Sequence, residues 1–469
     1  MSRRAWLLLP LFVAWACAGT PVWEQPPPPV IDAPVVPPNA LHRAELENGL
    51  RILVLEDHRL PRMAVSLTVR RGESSLAPSQ AGLASFTAEL MKRGAGRRDA
   101  LALASAVDEI GATLGVSAGW DSMGVGVAGL SRDEDALFAI LADVVLRPRF
   151  DPREAARARS ERLALLESAK DDPATLVSWY TASALYPGHR YGVPAEGTPA
   201  SVARFDAARA RDLHRRFFVP NDAVLAVVGD VETQDVIERA RRAFGDWPRG
   251  AVVPPGEPPP AQSPPARRVL VVDRPELVQA RILIAHEGIA RSDPERVAVG
   301  LLNSVLGGSG FSSRLMARVR SEAGLTYSVG SGFSLRREPG PFVVSTFTRV
   351  PEVRRVVDLL LSELARARSQ PPGEAELAPA RTLAVGEFSL GLETSEAVMS
   401  ALVDLDVYGL PEDGLDSYRG RVRAVSEDEI AAQAERLLHP DRNVILLVGP
   451  ASQLTPQLEG LGPIEVIQP

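Results

Sequence analysis

The chain repeats itself, and that repeat constrains its fold more than any other feature. PNDAVLAVVGD begins at Pro220 and PDRNVILLVGP begins at Pro440, an offset of 220 residues. Nearer the front of each copy, Arg51 heads RILVLEDHRLPRMAVSLTV and Arg268 heads RVLVVDRPELVQARILIAH, an offset of 217. Unrelated domains do not keep similar segments in one order at one spacing. Each copy opens with two strand-like runs joined by a loop. Two helix-like stretches, two strand-like stretches and a further helix follow, and a strand ending in glycine closes it. Alternation of period two marks the strands, and apolar residues three and four apart mark the helices. The expected fold is α+β: two tandem homologous units, each a mostly antiparallel sheet with helices packed on one face.

Proline-rich stretches bound the units. Residues 18–40 are dense in proline and read as an extended tether, and 251–266 read as a linker. An N-terminal unit is left over 41–250 and a C-terminal unit over 267–469. Within the first, a helix is expected from Gly82 to Arg93. Asp99 is placed to cap the next, which carries Leu101, Val107 and Ile110. GVSAGWDSMGVGVAGLS suggests a strand pair, and DEDALFAILADVVLRP a helix facing Leu137, Ile140, Leu141 and Val144 inward.

Composition removes several function classes. Lys and Arg number 52 against 59 Asp and Glu, and the two signs interleave, so no basic face for nucleic acid is expected. The single cysteine, Cys17, excludes an intrachain disulfide or a cysteine metal cluster. GVSAG at 115–119 fits GxSxG only inside the expected strand pair rather than at a strand-to-helix elbow, and no GxxxxGK[ST] phosphate loop occurs. The six histidines are His42, His58, His189, His214, His286 and His439; no two lie within five residues of each other. A helix presenting two histidines one turn apart is therefore not encoded.

Residues 1–17 carry Arg3 and Arg4, a short apolar run and small residues, the layout of a secretory signal too short to span a bilayer. The segment resembles a bacterial lipoprotein signal, which implies lipidation at Cys17. Plain cleavage after Ala16, following Ala14-Trp15-Ala16, is the other reading. Both imply an exported, periplasmic protein. The first adds a lipid anchor in the bacterial outer membrane as its only membrane attachment.

Residues 81–94, AGLASFTAELMKRG, resemble the active-site helix of the pitrilysin/insulinase zinc peptidases, which runs roughly GLAHFLEHMLFKG. In that family the motif HxxEH supplies two zinc-binding histidines and a glutamate that activates water. The matched positions here hold Ser85, Ala88 and Glu89. The family's third ligand is a glutamate on a later helix. Leu165 stands there, in LALLESAKDDPATL, with Glu167 nearby but out of register. The resemblance implies no metal and no cofactor bound by this chain, with zinc expected in a partner subunit.

Residues 301–335, LLNSVLGGSGFSSRLMARVRSEAGLTYSVGSGFSL, resemble a second family segment. By matched position, Arg320 and Tyr327 correspond to an arginine that holds substrate and a tyrosine that donates to the scissile carbonyl or oxyanion. Arg320 is expected at the end of a helix running from about Ser312, with Gly324 ending it and Tyr327 opening the next strand. The structural alternative has Arg320 capping helix carbonyls and Tyr327 in half-buried packing. Gly307, Gly308 and Gly310 form either a flexible substrate-handling loop or a helix end and turn. His189, in a segment similar to the family's HPYG…GTPESV, reads as a packed or turn residue. His286-Glu287 lacks the second histidine of HExxH. Pro275 and Gln279 match a family strand signature and read as structural.

The resemblance spans about 41–450 and points to the short-chain, mitochondrial-processing-peptidase-like branch, in its non-zinc subunit form. It implies a catalytically incomplete subunit of a heterodimeric peptidase, supplying residues in trans to a zinc-bearing homologue that cleaves peptides or unfolded segments. The other function class is a non-proteolytic scaffold or peptide-binding protein of the same fold. A metallopeptidase built on Glu89 and Glu167 is disfavoured, because carboxylates alone suit calcium or magnesium.

Overall fold

The computed structural model describes residues 33–37, 39–252 and 264–468. The signal-peptide expectation, Cys17 and most of the central linker lie outside these residues. No helix among them is long and apolar enough to cross a membrane.

The first half supplies β1 (Leu41–Glu45), β2 (Arg51–Glu56), β3 (Arg62–Val69), a small pair β4 (Gly94–Ala95) and β5 (Arg98–Asp99), then β6 (Thr113–Ala118), β7 (Met123–Leu130) and β8 (Ala223–Gly229). The second supplies β9 (Arg268–Asp273), β10 (Gln279–Glu287), β11 (Val329–Phe333), β12 (Pro341–Arg349), β13 (Val444–Gly449) and β14 (Ile464–Ile467). The two large sheets run β1-β2-β8-β3-β7-β6 and β11-β12-β10-β13-β9-β14. Read in opposite directions, β2-β8-β3-β7-β6 and β9-β13-β10-β12-β11 are one arrangement, with the parallel pair β2–β8 answered by β9–β13. The outermost strands depart from the repeat: β1 is antiparallel to β2, whereas β14 is parallel to β9. Both sheets remain mostly antiparallel, as the repeat predicts.

To the helical layer expected on one face of each sheet, the structure adds a helix from the opposite half on the other. Leu176, Val177 and Leu185 of the helix Pro173–Leu185 join one cluster with Leu270, Leu283 and Leu446 of the second sheet. Met399, Leu402 and Val403 of the helix Ser395–Tyr408 join another with Val224, Ala226 and Val228 of the first. This exchange explains why β8 and β13 are buried along their whole length and read as continuous apolar runs. Each Val or Leu so buried contributes about 1.5–3 kcal/mol, so the halves form one body. Polar ties reinforce it: buried Asp121 accepts from the Arg337 backbone N–H at 2.9 Å and from the Tyr408 hydroxyl at 3.1 Å.

Local expectations meet the structure at most points. Asp99 caps the helix Ala100–Asp108 by accepting from Ala102 N at 2.9 Å. That helix turns Leu103 and Val107 inward; Leu101, expected on its apolar face, is 78% exposed, and Ile110 lies beyond its end. The strand pair and the helix Glu134–Leu146 lie where expected. His189 accepts from Tyr191 N and packs between Tyr186 and Tyr191.

His286, far in sequence from His439, meets it ring to ring at 5.1 Å. His286 is fully buried, stacks on Phe342, and donates through Nδ1 to the Glu287 carbonyl at 2.8 Å. Burial pushes its imidazole down to about 4, against the opposing pull of that hydrogen bond. The folded state thus holds a neutral ring that the unfolded chain protonates near pH 6.5. Stability from this group is present above that value and is lost as pH falls toward 4. At pH 5 the loss is about 2 kcal/mol. Urea midpoints at pH 7.5 and pH 5 check this. His286→Leu, which does not titrate, is expected to fall less than the native chain by about that amount; equal falls refute the assignment.

Candidate functional site

The helix Leu83–Met91 starts at Gly82, whose φ of 89° is left-handed and suits glycine. Its first turn is fastened by Glu73. The Glu73 carboxylate accepts from Gly82 N at 3.1 Å and Ser85 N at 3.0 Å, and pairs with Arg190 at 2.6 Å. Side chains of both members of that ion pair are almost wholly buried. A carboxylate at a helix N-terminus also meets the positive end of the helix dipole.

Ser85, Ala88 and Glu89 lie on this helix, and none is free to serve a metal. Arg162, from the helix Pro152–Ala169, donates through Nη1 to Ser85 Oγ at 2.6 Å. A guanidinium, always protonated, therefore abuts the position of the first family histidine. Ala88 is buried and has no group to take a proton. Glu89 is held by Lys92 at 2.8 Å and Arg93 at 2.9 Å. Burial pulls its carboxyl upward, but hydrogen bonds from Lys92 and Arg93 outweigh this and leave it below its ordinary value. On the second helix Leu165 is exposed, Leu166 is buried, and Glu167 pairs with Lys170 at 2.7 Å. Zinc requires nitrogen or sulfur donors or several converging carboxylates. A serine engaged by arginine, an alanine and a doubly paired glutamate do not fit it. Among the described residues no group of three His, Cys, Asp or Glu side chains could hold a metal ion.

Beside Arg162 opens a cleft of about 680 Å³. Leu165, Leu166, Trp120 and Trp179 contribute apolar walls, and Arg336 from the second half reaches in. The Arg336 guanidinium lies 4.1 Å from the Trp120 ring centre and 4.5 Å from that of Tyr191. Arg162, Arg336 and Trp120 were not singled out by sequence reasoning. Arg162 sits in a charge-dense run that reads as a solvated face, and Arg336 lies 216 residues beyond Trp120.

Arg320 and Tyr327 are brought together on the second half. The Arg320 guanidinium stands 4.9 Å from the Tyr327 ring centre and 4.4 Å from that of Phe311. Tyr327 is 73% exposed and Phe311 72%. The Arg320 side chain makes no hydrogen bond or ion pair among the described residues, so the alternative in which it caps helix carbonyls is not what forms; nor is Tyr327 in half-buried packing. Two expectations need correction. The helix before Gly324 begins at Arg314, two residues later than expected, and is π-helical over Met316–Glu322. Tyr327 does not open a strand: it precedes β11, which begins at Val329. Gly324 does end the helical segment, with φ 65° and its N–H on the Arg320 carbonyl at 3.0 Å.

The glycine segment is packed rather than loose. Gly307 and Gly308 belong to a π-helical turn, Ser304–Gly308. A Cβ on Gly307 would meet the Ser331 backbone nitrogen of β11 at 2.6 Å. Only Gly310, at φ 62° with open space around it, keeps the character of a turn glycine.

The fold is two tandem homologous units, each a mostly antiparallel sheet with packed helices, and comparison with known proteins identifies the family. The family model described as insulinase (peptidase family M16) matches residues 51–198, and that described as peptidase M16 inactive domain matches residues 204–383. The chain belongs to the M16, or insulinase, family. Among its relatives is an uncharacterized zinc protease of Streptomyces coelicolor, 27% identical over 86% of this chain and 89% of that protein. The uncharacterized zinc protease YmxG of Bacillus subtilis is 22% identical over 88% of this chain and 99% of its own. A crystal structure of a peptidase M16 inactive domain from Pseudomonas fluorescens superposes with a TM-score of 0.81 at 27% identity, covering 87% of this chain and 98% of that one. A Helicobacter pylori protease shares the fold at a TM-score of 0.80 and 16% identity, covering 87% of this chain and 99% of that one.

Proposed function

We propose that this chain is the non-zinc subunit of a two-chain M16 peptidase. In this reading it presents Arg320 and Tyr327 to a peptide held against a zinc-bearing homologous subunit. The observation that carries it is the Arg320–Tyr327 pair, an exposed phenol held against a half-buried guanidinium that makes no side-chain ion pair or hydrogen bond among the described residues. An exposed phenol beside a guanidinium whose donors are not spent within the chain is what a site completed by another chain requires.

The roles follow from the groups. The Tyr327 hydroxyl is a neutral donor able to hydrogen-bond a carbonyl oxygen as negative charge develops on it. The Arg320 guanidinium, fixed between two rings, can bind the peptide's carbonyl or carboxylate groups. Zinc bound by the partner supplies the Lewis acid and the activated water. The N-terminal segment ending at Cys17 supports placement outside the cytoplasm on a lipid anchor. The test is peptidase activity on a mixed peptide library with each chain alone and with both. Activity confined to, or strongly raised in, the mixture is the expected result. Full activity from the zinc-bearing chain alone, unchanged on mixing, would leave a scaffold role as the better reading.

A further inference from the structure

At Ser85, the position matched to the family's first zinc histidine, the helix meets the guanidinium of Arg162. We propose that the cleft bounded by Arg162 and Arg336 binds the C-terminal carboxylate of a peptide ending in an apolar residue. This goes beyond the in-trans role, needs no partner chain, and concerns a different part of the molecule from Arg320 and Tyr327.

Two cations face this cleft from different halves. Arg162 is held by Ser85 Oγ through Nη1, at 2.6 Å. That contact orients the planar group, and bidentate recognition of a carboxylate is the natural use of its remaining donors. Arg336 is fixed by stacking on Trp120 and Tyr191 rather than by an anion, and its Nη1 is buried without a hydrogen-bond partner among the described residues.

The acidic groups of the lining do not cancel both cations. Asp172 commits its oxygens to its helix N-terminus, accepting from Ala174 N, Thr175 N and Thr175 Oγ1. Beyond the lining, Glu73 and Glu89 beside Arg162 are engaged by Arg190 and by Lys92 and Arg93, and Asp121 beside Arg336 by Ser74, Arg337 N and the Tyr408 hydroxyl, so Glu196 is the carboxylate left uncommitted at the cleft. That balance suits a monoanion. The walls, with Leu165, Leu166, Trp120 and Trp179, suit an apolar body attached to it. The volume, about 680 Å³, lies within the range of roughly 300–1,000 Å³ typical of small-ligand sites.

The test uses the purified full chain and a tetrapeptide ending in leucine, as the free acid and as the C-terminal amide. Binding is followed by calorimetry and by quenching of tryptophan fluorescence. The free acid is expected to bind at least about tenfold more tightly than the amide, the worth of a charge-assisted bidentate contact. Arg162→Gln is expected to erase that preference. Since Leu165 is an exposed wall residue, Leu165→Glu keeps the fold and places an anion in the cleft; it too should abolish acid binding. Equal affinity for acid and amide, no binding of either, or acid binding unchanged in folded Leu165→Glu would each overturn the proposal. So would displacement of the peptide acid by inorganic phosphate at equal concentration, which would mark a generic anion site.

Discussion

With a zinc-bearing homologue present, Tyr327→Phe is expected to lower kcat about 10²-fold while KM stays within about threefold. The phenol is 73% exposed, so its loss removes a hydroxyl and little packing. A donor that strengthens its bond only as charge builds on the scissile oxygen acts on kcat rather than on ground-state binding. Arg320→Ala is expected to raise KM as well, because the guanidinium would contact substrate before and during reaction. It also removes the platform between Phe311 and Tyr327, at 4.4 and 4.9 Å from their ring centres. Arg320→Lys is expected to restore little, since an ammonium lacks the planar fork that stacks on both rings. Steady-state kinetics on a fluorogenic peptide separate these outcomes. Rates within twofold of native for both Tyr327→Phe and Arg320→Ala would remove this pair from the chemistry.

The largest effect on stability is expected from breaking the ion pair beneath the degenerate helix. Arg190→Ala leaves Glu73, fully buried, with two backbone donors and no ion-pair partner, Arg162 acting on it only through space. Stranding a buried carboxylate in this way costs about 3–5 kcal/mol, a large share of the ~5–15 kcal/mol that holds a domain folded. Arg190 also donates to the Val193 carbonyl at 2.7 Å and lies 5.0 Å from the Trp120 ring centre. Arg190→Lys therefore cannot replace it. Combining Arg190→Ala with Glu73→Gln is expected to recover part of the loss, because the amide removes the stranded charge. Urea unfolding of the two single variants and the double variant measures the coupling. A loss below about 1 kcal/mol for Arg190→Ala, as for a surface pair, would contradict the account of this corner.

Much of this fold was legible because it is written twice. The matching runs at Pro220 and Pro440 mark β8 and β13, the central strands of equivalent sheets. What the repeat could not show is the exchange of helices across the halves. Leu176 and Val177, or Leu402 and Val403, announce burial but not the sheet that buries them. At the site, the departures at Ser85, Ala88 and Glu89 were readable only through the resemblance of residues 81–94 to the family's HxxEH helix. Arg162 was not, because an arginine in a charge-dense helical run looks the same whether it faces water or Ser85. The choice between a loose loop and a helix end and turn at Gly307 and Gly308 stayed open for a similar reason. Glycine is required both where a chain flexes and where two backbones touch, and here the turn packs against β11. The meeting of His286 and His439 came from strand pairing that no local spacing encodes.

The metal content of the purified chain tests the central claim most directly. The protein is to be prepared with added zinc, dialysed against zinc-free buffer, and assayed by atomic absorption. With Arg162 against Ser85 and Glu89 held by Lys92 and Arg93, the account predicts far less than one zinc per chain. Near-equimolar zinc surviving dialysis would contradict it and would return the chain to the metal-bearing peptidases.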